Sequence, residues 1–311
     1  MKFSFMRSWI VLIGFISVFS LKAQLPFTGG NVEDIEPLQI NYGLLPDLGG
    51  TRVQNYGLNL SFAKPMKKGV LGFRLGYQFY DFDFDESTNL IDLSSYQEIH
   101  TISTGIFYAR PLKKNWGLLI SAGTTLASNF GNGISEEDFV VNAILGFTKR
   151  WGTEIKGSNL LIGAFYGTQF GEPTVFPAVS FSQRLNERWS YSLGVPVTGL
   201  TYRFNEKHRI SVLASPQGIF GNNSNQITVD GNRTLENTKL QFNGINTRLS
   251  YRYLFTKNMA FVGEVGFVPN PTLRILDDEN DEIFDFNPES GAYFNLGLRF
   301  VLEKPERNNS K

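Results

Sequence analysis

Alternation with a period of two constrains this chain more than any other feature of its sequence. In the run Ala292-Tyr293-Phe294-Asn295-Leu296-Gly297-Leu298-Arg299-Phe300-Val301-Leu302, Phe294, Leu296, Leu298, Phe300 and Leu302 fall on one face. Tyr293, Asn295, Gly297 and Arg299 fall on the other. Such a strand separates two different solvents. A soluble strand with one wet face reads the same way, so a single copy decides nothing. The pattern recurs, however, more than ten times along the chain. Tyr56, Leu58, Leu60 and Phe62 oppose Asn55, Gly57, Asn59 and Ser61, and Trp189, Tyr191, Leu193 and Val195 oppose Ser190, Ser192 and Gly194. Most runs have room for the ~9–11 residues that cross a membrane at a tilt. Strands of a soluble sandwich usually hold only about 5–6.

The fold expected is all-β: a transmembrane, antiparallel, up-and-down β-barrel of about 14 strands. It has 12 if the weak first strand, Glu36 to Leu45 with its Pro37, and one other fail. An even number places both ends of the barrel on the periplasmic side. Mean hydropathy is −0.15 and hydrophobic residues make up 41%. Barrels hide in such averages because polar and apolar residues take turns.

Connections alternate in length. Those at 64–69, 111–115, 151–158, 186–188, 205–208 and 256–258 are short, and most carry Lys, Arg or Asn. Those at 84–95, 129–137, 217–239 and 269–288 are long, which fits periplasmic turns and outer loops. Gly171-Glu172-Pro173 and Pro196-Val197-Thr198-Gly199 are short exceptions on the outer side. Trp116, Trp151 and Trp189 all sit beside short turns. Indole favours a membrane interface, so these three are expected to form a periplasmic aromatic belt.

At the N-terminus, Lys2 and Arg7 precede an apolar run from Trp9 to Phe19, and Leu21-Lys22-Ala23 offers a cleavage site before Gln24. Residues 1–23 read as a secretory signal peptide. The expected layout continues with a short periplasmic lead at 24–35, the barrel at 36–302 and a polar tail at 303–311. The lead is too short for a plug domain. Cys is absent, which excludes a lipid-anchoring cysteine, a disulfide framework and a thiolate metal site. A formal net charge of +0 gives no overall attraction to nucleic acid.

Together, the signal peptide, the Lys/Asn turns, the Phe/Tyr/Gly-rich strands and the closing Leu296-x-Leu298-x-Phe300 resemble the uncharacterised outer-membrane β-barrel proteins of Bacteroidota. The resemblance covers essentially the whole mature chain. It implies a barrel in the outer membrane of a Gram-negative bacterium, with outer-membrane lipid and the barrel assembly machinery as partners. It implies no activity. In such barrels the chain often stops at the final aromatic residue, whereas here Val301 to Lys311 follow Phe300.

Candidate chemistry lies on the inward face. Arg74, Arg184, Arg203, Arg209, Arg252 and Arg299 share inward parity toward the short-turn end and would form a basic girdle low in the lumen. Glu264 is the acidic residue with the same parity. Rings of Arg bias a pore toward anions; the alternative is a filled lumen with the arginines paired. Acidic residues gather in two long loops, Asp81, Asp83, Asp85, Glu86 and Asp92 in one, and Asp277, Asp278, Glu279, Asp281, Glu282 and Asp285 in the other. The spacing of Asp81, Asp83 and Asp85 echoes a calcium loop but lacks its turning Gly. The simpler expectation is solvated, self-repelling loops around an open mouth. Only His100 and His208 could serve a hydrolytic constellation, and neither has Ser and acid partners nearby in sequence. No catalytic residue, cofactor or metal is therefore expected. A passive pore for small polar or anionic solutes is the leading expectation. A closed barrel acting through its outer loops is the alternative, and a lipid-modifying enzyme is a distant third.

Overall fold

The computed structural model describes residues 35–85, 91–153, 155–229 and 233–302. The expected signal peptide, most of the lead, Glu86 and the polar tail lie outside these residues.

Among the described residues there are eighteen strands and no α-helix. In chain order they are β1 (Ile35–Leu45), β2 (Thr51–Met66), β3 (Gly69–Phe84), β4 (Glu98–Pro111), β5 (Trp116–Ser128) and β6 (Phe139–Gly152). Then come β7 (Gly157–Gly167), β8 (Thr174–Arg184), β9 (Trp189–Gly194), β10 (Thr198–Arg203), β11 (His208–Asn223) and β12 (Ile227–Val229). The last are β13 (Arg233–Leu235), β14 (Thr238–Thr256), β15 (Met259–Val268), β16 (Thr272–Leu276), β17 (Glu282–Asp285) and β18 (Gly291–Leu302).

Each of β1 to β10 pairs antiparallel with the next; β11 then pairs with β14, β14 with β15, β15 with β18, and β18 with β1. The ring is a closed barrel of fourteen strands, as the alternation predicts. Closure pairs β1 with β18, so that neither end of the sheet is left as an edge.

The outer face is apolar all round. On β18, Phe294, Leu296 and Leu298 are exposed while Asn295, one residue away, is 6% exposed and points inward. The inward face changes character along its length. On β3 it runs from Phe82 and Tyr80 at the long-loop end, through Gln78 and Gly76, to Arg74. On β14 it runs from Leu240 and Phe242 to Asn246, Arg248, Ser250 and Arg252. The barrel is dry at one end and polar at the other.

The long-loop end departs from the sequence reading. Residues 217–239 are not a polar loop. β11 and β14 continue as a paired hairpin from Ser215↔Asn246 to Asn223↔Thr238. β10 accompanies β11 only as far as Ala214, and β15 accompanies β14 only from Thr247. Beyond those points the hairpin leaves the wall and crosses the mouth. Its tip meets β5 on the far side, at Asn222↔Ser128. The acidic loop 269–288 is not an open, self-repelling rim either. It supplies β16, which pairs with β14, and β17, which pairs with β16. Part of its charge is neutralised within the loop, where Arg274 Nε lies 3.0 Å from Asp285 and 3.3 Å from Glu282.

The sheet β11–β14–β16–β17 is thus a lid. Beneath it lies the main apolar core, which contains Ile219, Leu240, Phe242, Leu273 and Ile275 from the lid. Leu45, Val53, Phe82, Ile99 and Val268 from the wall join them, with Leu48, Leu93 and Tyr96 from the connections. Fully burying one such side chain stabilises by roughly 1.5–3 kcal/mol.

A polar latch fixes the tip. Asn222 Nδ2 donates to Asp138 (2.7 Å), and Lys239 Nζ donates to Asn222 Oδ1 (2.9 Å) and to Glu137 (3.0 Å). Asn129 Nδ2 donates to Asn223 Oδ1 (2.7 Å), and the Tyr96 hydroxyl meets Thr238 Oγ1 at 2.6 Å. These contacts satisfy polar groups that the lid would otherwise bury unpaired.

Candidate functional site

Below the lid core the inward face is built from short polar side chains and arginines. Short residues leave room, and the serine and threonine hydroxyls bond to one another across strands. Thr201 Oγ1 lies 2.9 Å from Ser211 Oγ, and Ser180 Oγ lies 3.3 Å from Ser192 Oγ. Asn142 Nδ2 donates to Thr125 Oγ1 at 2.8 Å.

The six arginines read from parity all project inward near the short-turn end. Arg203, Arg209 and Arg252 stand in one cross-strand row over β10, β11 and β14, because Arg203 faces Arg209 and Arg209 faces Arg252. Arg184 closes β8 on the same side, near enough to Arg209 for the two charges to interact. Like charges placed directly opposite destabilise a sheet, so this row needs compensation. Arg74 is set apart, with its guanidinium 4.9 Å above the ring of Phe107. Arg299 donates to the Ile40 carbonyl at 3.0 Å.

Among the described residues, two carboxylates answer these charges. Glu264 accepts from Arg248 Nε (3.2 Å) and from Asn295 Nδ2 (2.9 Å). Arg248 also donates to Ser215 Oγ at 2.8 Å. The second carboxylate is Glu36, 3.3 Å from Arg252 Nε and 3.6 Å from Arg299 Nε. Parity counted from Leu38 and Ile40 would place Glu36 on the lipid-facing side. A bulge reverses it: Ile35 pairs with Leu302 but Leu38 pairs with Phe300, so one residue of β18 is matched by two on β1, Glu36 and Pro37. Bulges re-aim side chains in this way, and Pro37 in a weak strand was the only sequence signal. Arg248 has plain inward parity and joins the girdle as its seventh member.

The remaining candidates lie elsewhere. Trp116, Trp151 and Trp189 are exposed on the outer face, all at the short-turn end. Trp189 packs against Tyr202 (centroids 4.7 Å) and Trp151 against Phe181 (6.0 Å). Asp81 and Asp83 belong to β3 and Asp85 follows it. Among the described residues no three acidic or imidazole side chains converge as a metal would require. Both histidines face outward. His100 Nδ1 bonds the Tyr77 hydroxyl at 2.9 Å and its ring lies 4.9 Å from that of Phe79. His208 Nδ1 bonds the Tyr251 hydroxyl at 2.7 Å and its ring stacks on Tyr253 at 4.8 Å.

A family model described as "Domain of unknown function (DUF6268)" matches residues 54–301. No curated protein matches the chain. Solved structures with similar architecture include LpxR from Salmonella typhimurium, at 9% identity and a TM-score of 0.41, covering 85% of this chain and 99% of that one. A KdgM porin in complex with disordered oligogalacturonate gives 10% identity and a TM-score of 0.36, with 85% and 99% covered. The Pseudomonas putida toluene transporter TodX gives 9% identity and 0.32, with 85% and 88% covered. At such identities and scores no ligand or activity transfers from any of them.

Proposed function

The chain belongs to the DUF6268 family, and we propose that it is an outer-membrane β-barrel that passes small anionic solutes through an arginine-lined lumen. The carrying observation is the charge of the lower lumen. Arg74, Arg184, Arg203, Arg209, Arg248, Arg252 and Arg299 all line it, and among the described residues Glu36 and Glu264 are the carboxylates that pair with Arg248, Arg252 and Arg299. Low-dielectric walls focus such a field and raise the local concentration of counter-ions.

The continuous apolar exterior with tryptophans at one rim supports placement in a lipid bilayer. Outer-membrane lipid and the barrel assembly machinery are the partners this reading implies. The histidines support a non-catalytic role, since each is held by a tyrosine on the outer surface. The lid adds a gate to the passive pore: solutes cross when the hairpin swings clear of β5.

Reversal potential in a planar bilayer under a salt gradient tests the reading. Wild type should favour anions, and Arg203→Ser/Arg209→Ser should lower that preference. An unchanged ion preference sinks the girdle. A second reading, a closed barrel acting through its outer surface, is favoured by the sealed core beneath the lid. Absence of stepwise conductance from both wild type and a latch-broken Lys239→Ala variant would select it.

A further inference from the structure

The wall of the ring is not of even height. β9 and β10 hold six residues each, while β8 holds eleven and β11 sixteen. Six residues at about 3.3 Å each, tilted by ~40°, climb only about 15 Å. The apolar band of a membrane barrel is ~25 Å tall. The last partner of β9 on β8 is reached at Ser180↔Gly194, with one more bond from Val195 N to the Val179 carbonyl at 2.9 Å. The last pair of β10 with β11 is Thr198↔Ala214. Above that level two strands are missing from the wall.

Both free edges begin with a proline. Along an antiparallel strand the backbone groups of successive residues point to opposite sides. The Val179 carbonyl points toward β9, so the position of Pro177 points the same way. The His208 carbonyl accepts from Phe204 N on the β10 side at 3.0 Å, so the even-numbered positions of β11, through Pro216, point that way too. Each proline removes the N–H that would face the gap. Hydrocarbon cannot satisfy such a donor.

The gap is bridged at the top. A Cβ on Gly218 would lie 2.3 Å from the Thr168 carbonyl oxygen and 2.4 Å from Gly171 N. A Cβ on Gly171 would lie 2.8 Å from Asn243 Cβ. The β7–β8 connection therefore touches the β11–β14 hairpin backbone to backbone, and the notch is a window framed on every side. Val175, Val179, Leu193, Val212 and Ile245 are exposed around it, so hydrocarbon bathes its outer opening.

Behind the window, inside the barrel, lies an apolar patch. Leu161, Phe165 and Ala178 are buried, with Phe170, Phe176 and Val195 packed on them. The Phe176 ring centroid is 3.9 Å from that of Phe170 and 5.5 Å from that of Phe165. Further down β8, past Ser180 and Ser182, stands Arg184. It is six residues below Ala178, about 20 Å along the strand, on the wall sector that carries Arg203 and Arg209.

We propose that this window is a lateral port for a single-chain anionic amphiphile of the fatty-acid class. The alkyl chain enters from the bilayer between Pro177 and Pro216 and lies on Phe165, Phe170 and Phe176. The anionic head reaches down toward the arginines. The head-group half of the proposal rests on the anion reading above; the port itself does not.

The test uses the full chain in lipid nanodiscs with a diazirine-bearing palmitate as photolabel. Adducts should concentrate on residues 161–181 and Val195, and unlabelled palmitate should compete for them. Hexadecanol, which lacks the charge, should compete about tenfold more weakly, the effect of a ~1.4 kcal/mol contact. Ala178→Trp, which fills the patch, should cut labelling there by about tenfold. Phe176→Ser should do the same without added bulk, with circular dichroism reporting that each variant keeps its strands. Labelling spread around the exterior, at Leu145 or Leu249 as strongly as at Phe176 and without competition, overturns the port. Equal competition by hexadecanol overturns the head-group assignment. Reversal potential on wild type and Arg203→Ser/Arg209→Ser separates the two readings. Anion preference without site-directed labelling removes the port alone, and labelling without anion preference removes the anion reading alone.

Discussion

At the long-loop end Tyr96, Leu240 and Phe242 have no exposed surface, whereas at the short-turn end Arg184, Arg203 and Arg299 keep part of theirs. The same strands build both ends. What differs is the inward residue at each level. Large apolar side chains pointing at one another make a core, while small hydroxyls and a few guanidinium groups make a polar lining. The contrast teaches that a closed ring of strands fixes only the envelope. The filling is decided residue by residue, at every second position.

The contrast can be broken most forcefully from above. Phe242→Ala empties a fully buried position in the lid core. Such truncations cost about 3–5 kcal/mol. Amide exchange should accelerate strongly in residues 218–223 and 238–243 while β2 to β6 stay protected near the short turns. Equal loss of protection along the whole ring would mean that the two ends are one cooperative unit. The latch comes next. Lys239→Ala leaves the buried Asn222 Oδ1, and Glu137, without the ammonium donor they share, a loss of roughly 1–3 kcal/mol. Open events in a planar bilayer should become more frequent, with unchanged current per event.

Below the lid, Glu36→Gln removes the carboxylate that Arg252 and Arg299 share. Reversal potential should shift further toward the anion value, and Glu264→Gln should act in the same direction. The smallest effect belongs to Asp92, at the edge of the lid core. Its carboxyl is held below the ordinary range by the backbone N–H of Ser94, with the Ser94 hydroxyl adding to it. A depressed carboxyl contributes stability above its unfolded pKa and loses it as pH falls through the folded one. Protection of Ser95 and Tyr96 relative to their intrinsic exchange rates should therefore fall on acidification, and Asp92→Asn should flatten that dependence.

Much of this was legible from the residues. The alternation in Phe294 to Leu302 and its thirteen companions specified the ring, and parity aimed the six arginines. Two features escaped for physical reasons. Glu36 was hidden by the bulge at Pro37, since a count of two fails wherever a strand carries an unmatched residue. The lid was hidden because its strands are covered on both faces, so greasy and polar positions no longer report inside and outside. Lys239, Asn222 and Asn223 look like a soluble loop in sequence, yet all three are buried. Their hydrogen bonds reach partners such as Asp138 and Asn129, which lie 84 and 94 residues from Asn222 and Asn223. No local window contains both ends of such a contact.

β11 and β14 carry the latch at one end and Arg209, Arg248 and Arg252 at the other, with no break in either backbone between them. They act as a pair of stiff levers. A pull on the tip must travel down the same two ladders that hold the positive charges, so a displacement of the cover would be carried to the level of those charges.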